Sequence, residues 1–409
     1  MLIALTVLTV SLRLWRLDVV PGFHDSEMYL VPAALNYEAT GQASPDNWYF
    51  PPLRHILMYW SISIFGNNPY GWRMRNALFG ILTVLLLYWV GKEVFRDRRT
   101  AFLAALLLSV DALHLRYSRV SHGEIVAAAF FLAAVYSVLR ASRGSALYLP
   151  AAGILLGLAS AVKWYFFPAH VVLFIFAFSA VLHKQHAKFW PITAAVLSFT
   201  ILPFCIYTLT FYQWFGRGYG FSDFISFHFD AYRVMQGLTL EAMPGFYPDM
   251  IRHSGNFLGW FTKPVLFGYH QWSDGVNGIY DVIMNNFPFV FLIFPSLAFL
   301  LYRSFIHRLR TGILTVVLFF SLYLQFIIAK RPIWIYSSIP LLPFAYLSVA
   351  FLFQSMIDRV KDKKDLCYGI LVIVIACWGL YLFPFVNSFP VPEVIYSPLR
   401  AFGYIEKGF

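Results

Sequence analysis

Residues 123–140 read GEIVAAAFFLAAVYSVLR: one acid at the start, one arginine at the end, and apolar or small residues between them. About 20 such residues cover the roughly 30 Å of a bilayer's hydrocarbon core, so this stretch is read as a transmembrane helix. Ten more runs of similar character are read near 1–15, 74–91, 100–115, 147–162, 165–182, 189–212, 286–302, 311–328, 334–354 and 366–386. The composition agrees. The 409 residues are 59% hydrophobic and 20% aromatic, with only 12% charged, about half the charge of a soluble domain. This excludes a soluble globular enzyme, a disordered chain and a fibrous repeat. The expected fold class is all-α: a polytopic membrane protein of about eleven transmembrane helices, read as a single membrane domain over 1–409 with no appended soluble domain. No signal peptide is expected, because no basic segment precedes the first apolar run. Cys205, Cys367 and Cys377 all sit in apolar runs, which indicates neither a disulfide framework nor a cysteine metal site.

The formal charge of +11 would suggest nucleic acid in a soluble chain; here its distribution gives orientation instead, and no nucleic-acid partner is expected. Fifteen of the 31 Lys and Arg lie in short connections on one face: Lys92 to Arg99, Arg140 and Arg143, Lys184 and Lys188, Arg303 to Arg310, and Arg359 to Lys364. By the positive-inside rule that face is cytoplasmic. The opposite face carries two long loops, about 16–73 and 213–285. They contain apolar stretches too short to span, Met28 to Tyr37, Leu53 to Phe65 and Asp223 to Met235, read as helices lying in the membrane interface.

Chemistry-bearing residues gather on this outer face. The first loop opens Pro21-Gly22-Phe23-His24-Asp25-Ser26-Glu27, two carboxylates and an imidazole within four residues. At a helix start the Asp25 carboxylate is favoured in its ionised form and suits a general base, although a plain N-cap reads the same way. Further on, Pro51-Pro52 starts a helix at Leu53, with Arg54 facing the membrane surface, where a cation reaching for headgroups is the plainer reading. The segment Asp111 to Glu124 ends in an acid at the lipid boundary, which requires a partner or a water-filled cavity. Lys163 follows the fifth span, and Lys330 and Arg331 precede the tenth. Together these place Asp25, Glu27 and Glu124 with Arg54, Arg73, Arg75, Lys163, Lys330 and Arg331, a set suited to an anionic phosphate head and a carboxylate base.

The order of these motifs resembles the GT-C superfamily of polyprenyl-phosphate-dependent glycosyltransferases, especially the protein O-mannosyltransferases, with the lipid A aminoarabinose transferases as relatives. The matching parts are the acidic opening at Asp25 and Glu27, Pro51-Pro52-Leu53, Arg73-Met74-Arg75 with Gly80, Ser118-Arg119 followed by Glu124, Gly157 to Trp164, and the aromatic Trp260 to Pro264. The resemblance implies a GT-C fold with Asp25 as the base that takes the acceptor hydroxyl proton and Glu124, with Glu27, assisting. It implies that cations, here Arg54, Arg75, Lys163 and Arg331, hold the donor phosphate. Acceptor or sugar contacts would come from His24, His122, Trp260, Tyr269 and Tyr336. The expected reaction is inverting transfer of a mannose-like sugar from a polyprenyl-phosphate carrier to a hydroxyl of a protein, lipid or glycan. The expected setting is a prokaryotic inner membrane, in contact with membrane lipids, with the site facing the periplasm. No cofactor is required, although His24, Asp25, Glu27, His122 and Glu124 offer donors for a divalent ion, as in the oligosaccharyltransferase relatives. Three departures stand out. Ser26 separates the two acids, Phe50 replaces the usual His or Lys before Pro-Pro, so that Arg54 is the stand-in, and no soluble domain is read. The competing classes are a lipid or ion transporter or flippase, against which the clustering of charge at one interface argues, and an assembly protein, which would leave Asp25 and Glu124 without a role.

Overall fold

The computed structural model describes residues 1–41, 50–145, 147–184, 189–237, 257–273, 277–329, 333–360, 362–392 and 394–395. Helices dominate. In chain order they are α1 (Leu2–Leu14), α2 (Glu27–Thr40), α3 (Leu53–Phe65), α4 (Pro69–Phe95), α5 (Arg98–Ser109), α6 (Ala112–Arg119), α7 (Gly123–Ser142), α8 (Tyr148–Ser160), α9 (Phe167–Lys184), α10 (Phe189–Phe199), α11 (Ile201–Leu209), α12 (Tyr212–Gly216) and α13 (Phe221–Gly237), then α14 (Ile293–Ile306), α15 (Arg310–Leu324), α16 (Leu342–Ile357) and α17 (Lys364–Val386).

Among the described residues eight helical stretches are long and apolar enough to cross a membrane, or nine if the bent pair α5–α6 is one span. The other two expected spans, 1–15 and 147–162, are apolar helices of 13 residues each. At 1.5 Å per residue these reach only about 20 Å, so the count of eleven is not met by length. The expected span 100–115 is broken by a 59° bend. Asp111 causes the break: its carboxylate accepts the His114 N–H at 2.6 Å as the N-cap of α6, which starts a new helix axis in place of continuing the old one.

The centre of the bundle is α5, buried from Thr100 to Ser109, which explains why TAFLAALLLS carries no polar face. It packs against α4 and α16, while α7 lies between α4 and α8. Gly91 permits the α4–α5 approach, since a Cβ there would lie 2.9 Å from the Ala101 Cα. Large apolar side chains exposed on the outside, such as Ile3, Phe189, Trp190, Ile370 and Ile373, suit a lipid solvent. At the basic end Arg140 and Arg143 bind Glu93, and Arg99 pairs with Asp365.

The short helices expected in the outer loops are present as α2, α3 and α13. The helical reading missed one element. The second loop carries an antiparallel hairpin, β1 (Leu266–Ser273) and β2 (Asn277–Met284), joined by β3 (Pro390–Pro392) in the order β1-β2-β3. Its β-branched and aromatic content, as in NGIYDVIM, is the signal that was available, but the composition of the whole chain favoured helix.

Helix α4 organises the outer end. Asn68 caps it by accepting the Gly71 N–H at 3.0 Å, with Pro69 in the first turn. One turn on, Arg73 is 2% exposed and binds Glu27, which is fully buried, through Nε to Oε1 at 3.0 Å and Nη2 to Oε2 at 3.0 Å. Its remaining protons go to the carbonyls of Leu17, Val20 and Gly22. Glu27 also accepts the N–H groups of His24 and Ser121 at 3.0 and 3.1 Å. This one pair ties the 17–27 loop to α4 and to the start of α7. Arg119 closes the other side, donating to the carbonyls of Leu12, Arg13, Trp15 and Arg16 at the end of α1.

Two consequences are testable. Gly80 faces α6 so closely that a Cβ would lie 2.2 Å from the Ser118 hydroxyl and 2.6 Å from its Cβ, whereas Gly369 has no heavy atom within 4 Å. Gly80→Val should therefore lower the melting temperature of the detergent-solubilised protein by an overpacking penalty of about 1 to 3 kcal/mol, and Gly369→Ala should not. Glu27→Ala leaves the Arg73 guanidinium buried without its anion and should destabilise by about 3 to 5 kcal/mol in the same thermal assay.

Candidate functional site

Two tethers and one close approach bring these residues together. The Leu53 N–H donates to the Ala161 carbonyl at 3.2 Å, which seats the start of α3 beside the end of α8. Asn76 on α4 donates from Nδ2 to the carbonyls of Tyr117, Val120 and His122 at 2.8 to 3.0 Å, fixing the turn between α6 and α7. Gly123 leaves room for the lysine stem, a Cβ there lying 3.1 Å from the Lys163 Cε.

The resulting site has two halves. In the first, Asp25 precedes α2 with a left-handed φ of +54°, a conformation that Asp tolerates better than most residues. Its Oδ1 accepts the Ser26 hydroxyl at 3.0 Å, its Oδ2 accepts the Tyr117 hydroxyl at 3.2 Å, and the Arg116 guanidinium lies 3.9 Å from Oδ2. His24 faces Arg116 across 3.5 Å. In the second half, Glu124 sits in the first turn of α7, where the helix dipole favours an anion. Lys163 Nζ binds its Oε1 at 2.8 Å and His122 Nδ1 contacts its Oε2. The Arg54 guanidinium lies 3.9 Å from the centre of the Phe50 ring, and Lys163 Nζ lies 5.0 Å from that ring. Burial pulls Arg54 down to about 10 while Glu124 and Tyr336 pull it back up, so it remains a cation at neutral pH. Aromatic rings join the halves: Tyr117 packs edge-on against His122 at 5.0 Å and Tyr336 at 5.8 Å, and His122 meets Tyr336 at 4.3 Å.

Exposure separates the three acids. The Asp25 side chain is 21% exposed, Glu124 1% and Glu27 0%, so Asp25 is the one of the three that a substrate can reach directly. Glu27 is fully occupied by Arg73 and two backbone donors and holds the loop in place. Arg54 is buried at 6% and turned inward, where the sequence reading had it on the membrane surface. Arg75 is buried behind it, with its guanidinium spent on Asn76 Oδ1 at 2.8 and 3.0 Å and on the Arg54 carbonyl at 2.8 Å, so it supports Arg54. Trp260 is fully buried among Phe257 and Phe326, a core residue with no open face for a sugar. Tyr269 lies on β1, its side chain outside the described residues, and Lys330 and Arg331 also lie outside them.

Among the described residues no three His, Cys, Asp or Glu side chains converge as a metal-ligand group. The proposed donors divide instead between Arg73, which takes Glu27, and Lys163, which takes Glu124. The sequence reading assigned no role to Arg116, Tyr117 or Phe50. The signal for the first two was the density of polar residues between Asp111 and Glu124; Phe50 had been marked only as a departure.

Known proteins resemble this chain in sequence and in fold. The family model for dolichyl-phosphate-mannose-protein mannosyltransferase matches residues 55–216. The chain is 22% identical to the polyprenol-phosphate-mannose–protein mannosyltransferase of Mycolicibacterium smegmatis, the match covering 85% of this chain and 80% of that one. It is 22% identical to the Mycobacterium tuberculosis protein of the same name, covering 84% and 78%. Among solved structures, the S. cerevisiae protein O-mannosyltransferase Pmt1-Pmt2 complex bound to the sugar donor matches at a TM-score of 0.79 with 13% identity, over 97% of this chain and 91% of that one. ArnT from Cupriavidus metallidurans bound to undecaprenyl phosphate matches at 0.63 with 15% identity, over 92% and 63%. The chain is a polytopic membrane protein that shares the fold of these solved structures and resembles the polyprenol-phosphate-mannose–protein mannosyltransferases.

Proposed function

We propose that this protein transfers a mannose-like sugar from a polyprenyl-phosphate carrier to a hydroxyl acceptor, in a single inverting displacement. The observation that carries the reading is the pairing of one reachable carboxylate, Asp25, with a cationic half-site of Arg54 and Lys163 set around Glu124. The names of the relatives, polyprenol-phosphate-mannose–protein mannosyltransferases, support mannose as the sugar and a protein hydroxyl as the acceptor.

Asp25 takes the proton of the acceptor hydroxyl as the oxygen forms its bond to the anomeric carbon. The bond from that carbon to the phosphate oxygen breaks on the opposite face, and its electron pair leaves with the polyprenyl phosphate as a dianion. Charge on the phosphate grows in the transition state, so cations fixed beforehand stabilise that state more than the bound substrate. Lys163 and Arg54 supply that charge. Glu124, itself contacted by the His122 ring, holds the lysine in place, and the Phe50 ring supports the Arg54 guanidinium. No divalent ion takes part in this scheme. The basic loops on the far end support a cell-membrane location with the site on the exterior, periplasmic face.

Two measurements test this. Purified protein in lipid, given a panel of radiolabelled polyprenyl-phosphate sugars, should transfer from one donor, lose about 10²-fold or more in Asp25→Asn, and keep its rate with a chelator. Full activity in Asp25→Asn would remove Asp25 as the base, and loss with chelator would reinstate a metal. Lys163→Met should lower kcat/KM by about 10²-fold while the protein still folds; an unchanged value would move the phosphate elsewhere.

A further inference from the structure

We infer that Tyr117 is a positioning residue for the base: its hydroxyl fixes the orientation of the Asp25 carboxylate and reserves one of its two oxygens. This rests on Asp25 acting as the base. The ring of Tyr117 is buried at 1% and wedged against His122 and Tyr336, and its backbone carbonyl is held by Asn76, so its hydroxyl has a fixed place. That place is 3.2 Å from Asp25 Oδ2.

The groups facing the Asp25 carboxylate are the Ser26 hydroxyl on Oδ1, and the Tyr117 hydroxyl and Arg116 guanidinium on the side of Oδ2. The two hydroxyls differ in freedom. Ser26 is the adjacent residue and can rotate its proton away, whereas Tyr117 is clamped at both ends. With Oδ2 committed to Tyr117 and Arg116, the acceptor proton arrives on Oδ1, and the protonated carboxyl then donates into the space that Ser26 vacates. Asp25 needs this support because its left-handed backbone sets it at the end of a loop, ahead of the first turn of α2. The same Tyr117 ring touches His122, the partner of Glu124, so one side chain sets the spacing between the base and the phosphate half-site.

The test is Tyr117→Phe, which keeps the ring wedge and removes only the hydroxyl. With the carboxylate no longer held in one orientation, kcat should fall about tenfold at neutral pH. Affinity for the polyprenyl-phosphate donor, measured by equilibrium binding, should stay within about twofold of wild type, and the melting temperature should hold. A Tyr117→Phe enzyme with wild-type kcat overturns the inference. So does one that loses donor affinity in parallel with activity, because Tyr117 would then be a pillar of the phosphate half-site. In the Asp25→Asn background, Tyr117→Phe should cause no further loss of transfer; an additional tenfold loss shows that Tyr117 acts apart from Asp25 and also overturns it. Wild-type protein that transfers from no donor overturns the glycosyltransferase reading and this inference with it.

Discussion

The buried pair of Arg73 and Glu27 is the constraint on which the outer end depends. Two charges in a low-dielectric setting are expensive to desolvate, and such pairs add little net stability even when well made. This one is completely satisfied: the guanidinium serves a carboxylate and three carbonyls, and the carboxylate serves two further backbone donors. What it provides is specification. The loop before α2 has no other anchor of this strength, and its path decides where Asp25 stands relative to α6 and α7.

The three carboxylates of this face show how burial divides labour. Equal in chemistry, they differ in what surrounds them: Glu27 is enclosed by donors and becomes structural, and Glu124 is enclosed by a lysine and a histidine and becomes a holder of cations. Asp25 keeps an open side. The arginines divide likewise. Arg73 and Arg119 bind backbone carbonyls, Arg75 supports Arg54, and Arg54 and Lys163 both lie against the Phe50 ring, where we propose the phosphate sits. A count of charges on one face therefore overstates how many of them can meet a phosphate.

The bend at Asp111 is the second organising feature. That carboxylate accepts the His114 N–H and also the Tyr346 hydroxyl at 2.5 Å, and Tyr346 in turn accepts from Asn286, which takes the Trp378 indole proton. A network of this kind, inside an otherwise apolar bundle, costs much if half made and specifies one arrangement if complete. Here it links α6 to α16 and α17, so the helix that carries Arg116 and Tyr117 is set from both sides.

Much of this protein was legible in its sequence. Apolar run length determined a polytopic membrane protein, because hydrocarbon allows few alternatives. The stretches Met28 to Tyr37 and Leu53 to Phe65 were identifiable as short helices by length, and Asp25 and Glu124 as residues of interest by the expense of charge near lipid. Only the tertiary structure decided which charges are spoken for, since that depends on contacts such as Arg73 to Glu27, 46 residues apart, and Tyr117 to Asp25, 92 apart. It also decided that Trp260 is core, that 100–115 is broken at a cap, and that a hairpin lies within the second loop. Local pattern records what a segment can tolerate; which partner it meets is fixed by the packing of elements far apart in the chain.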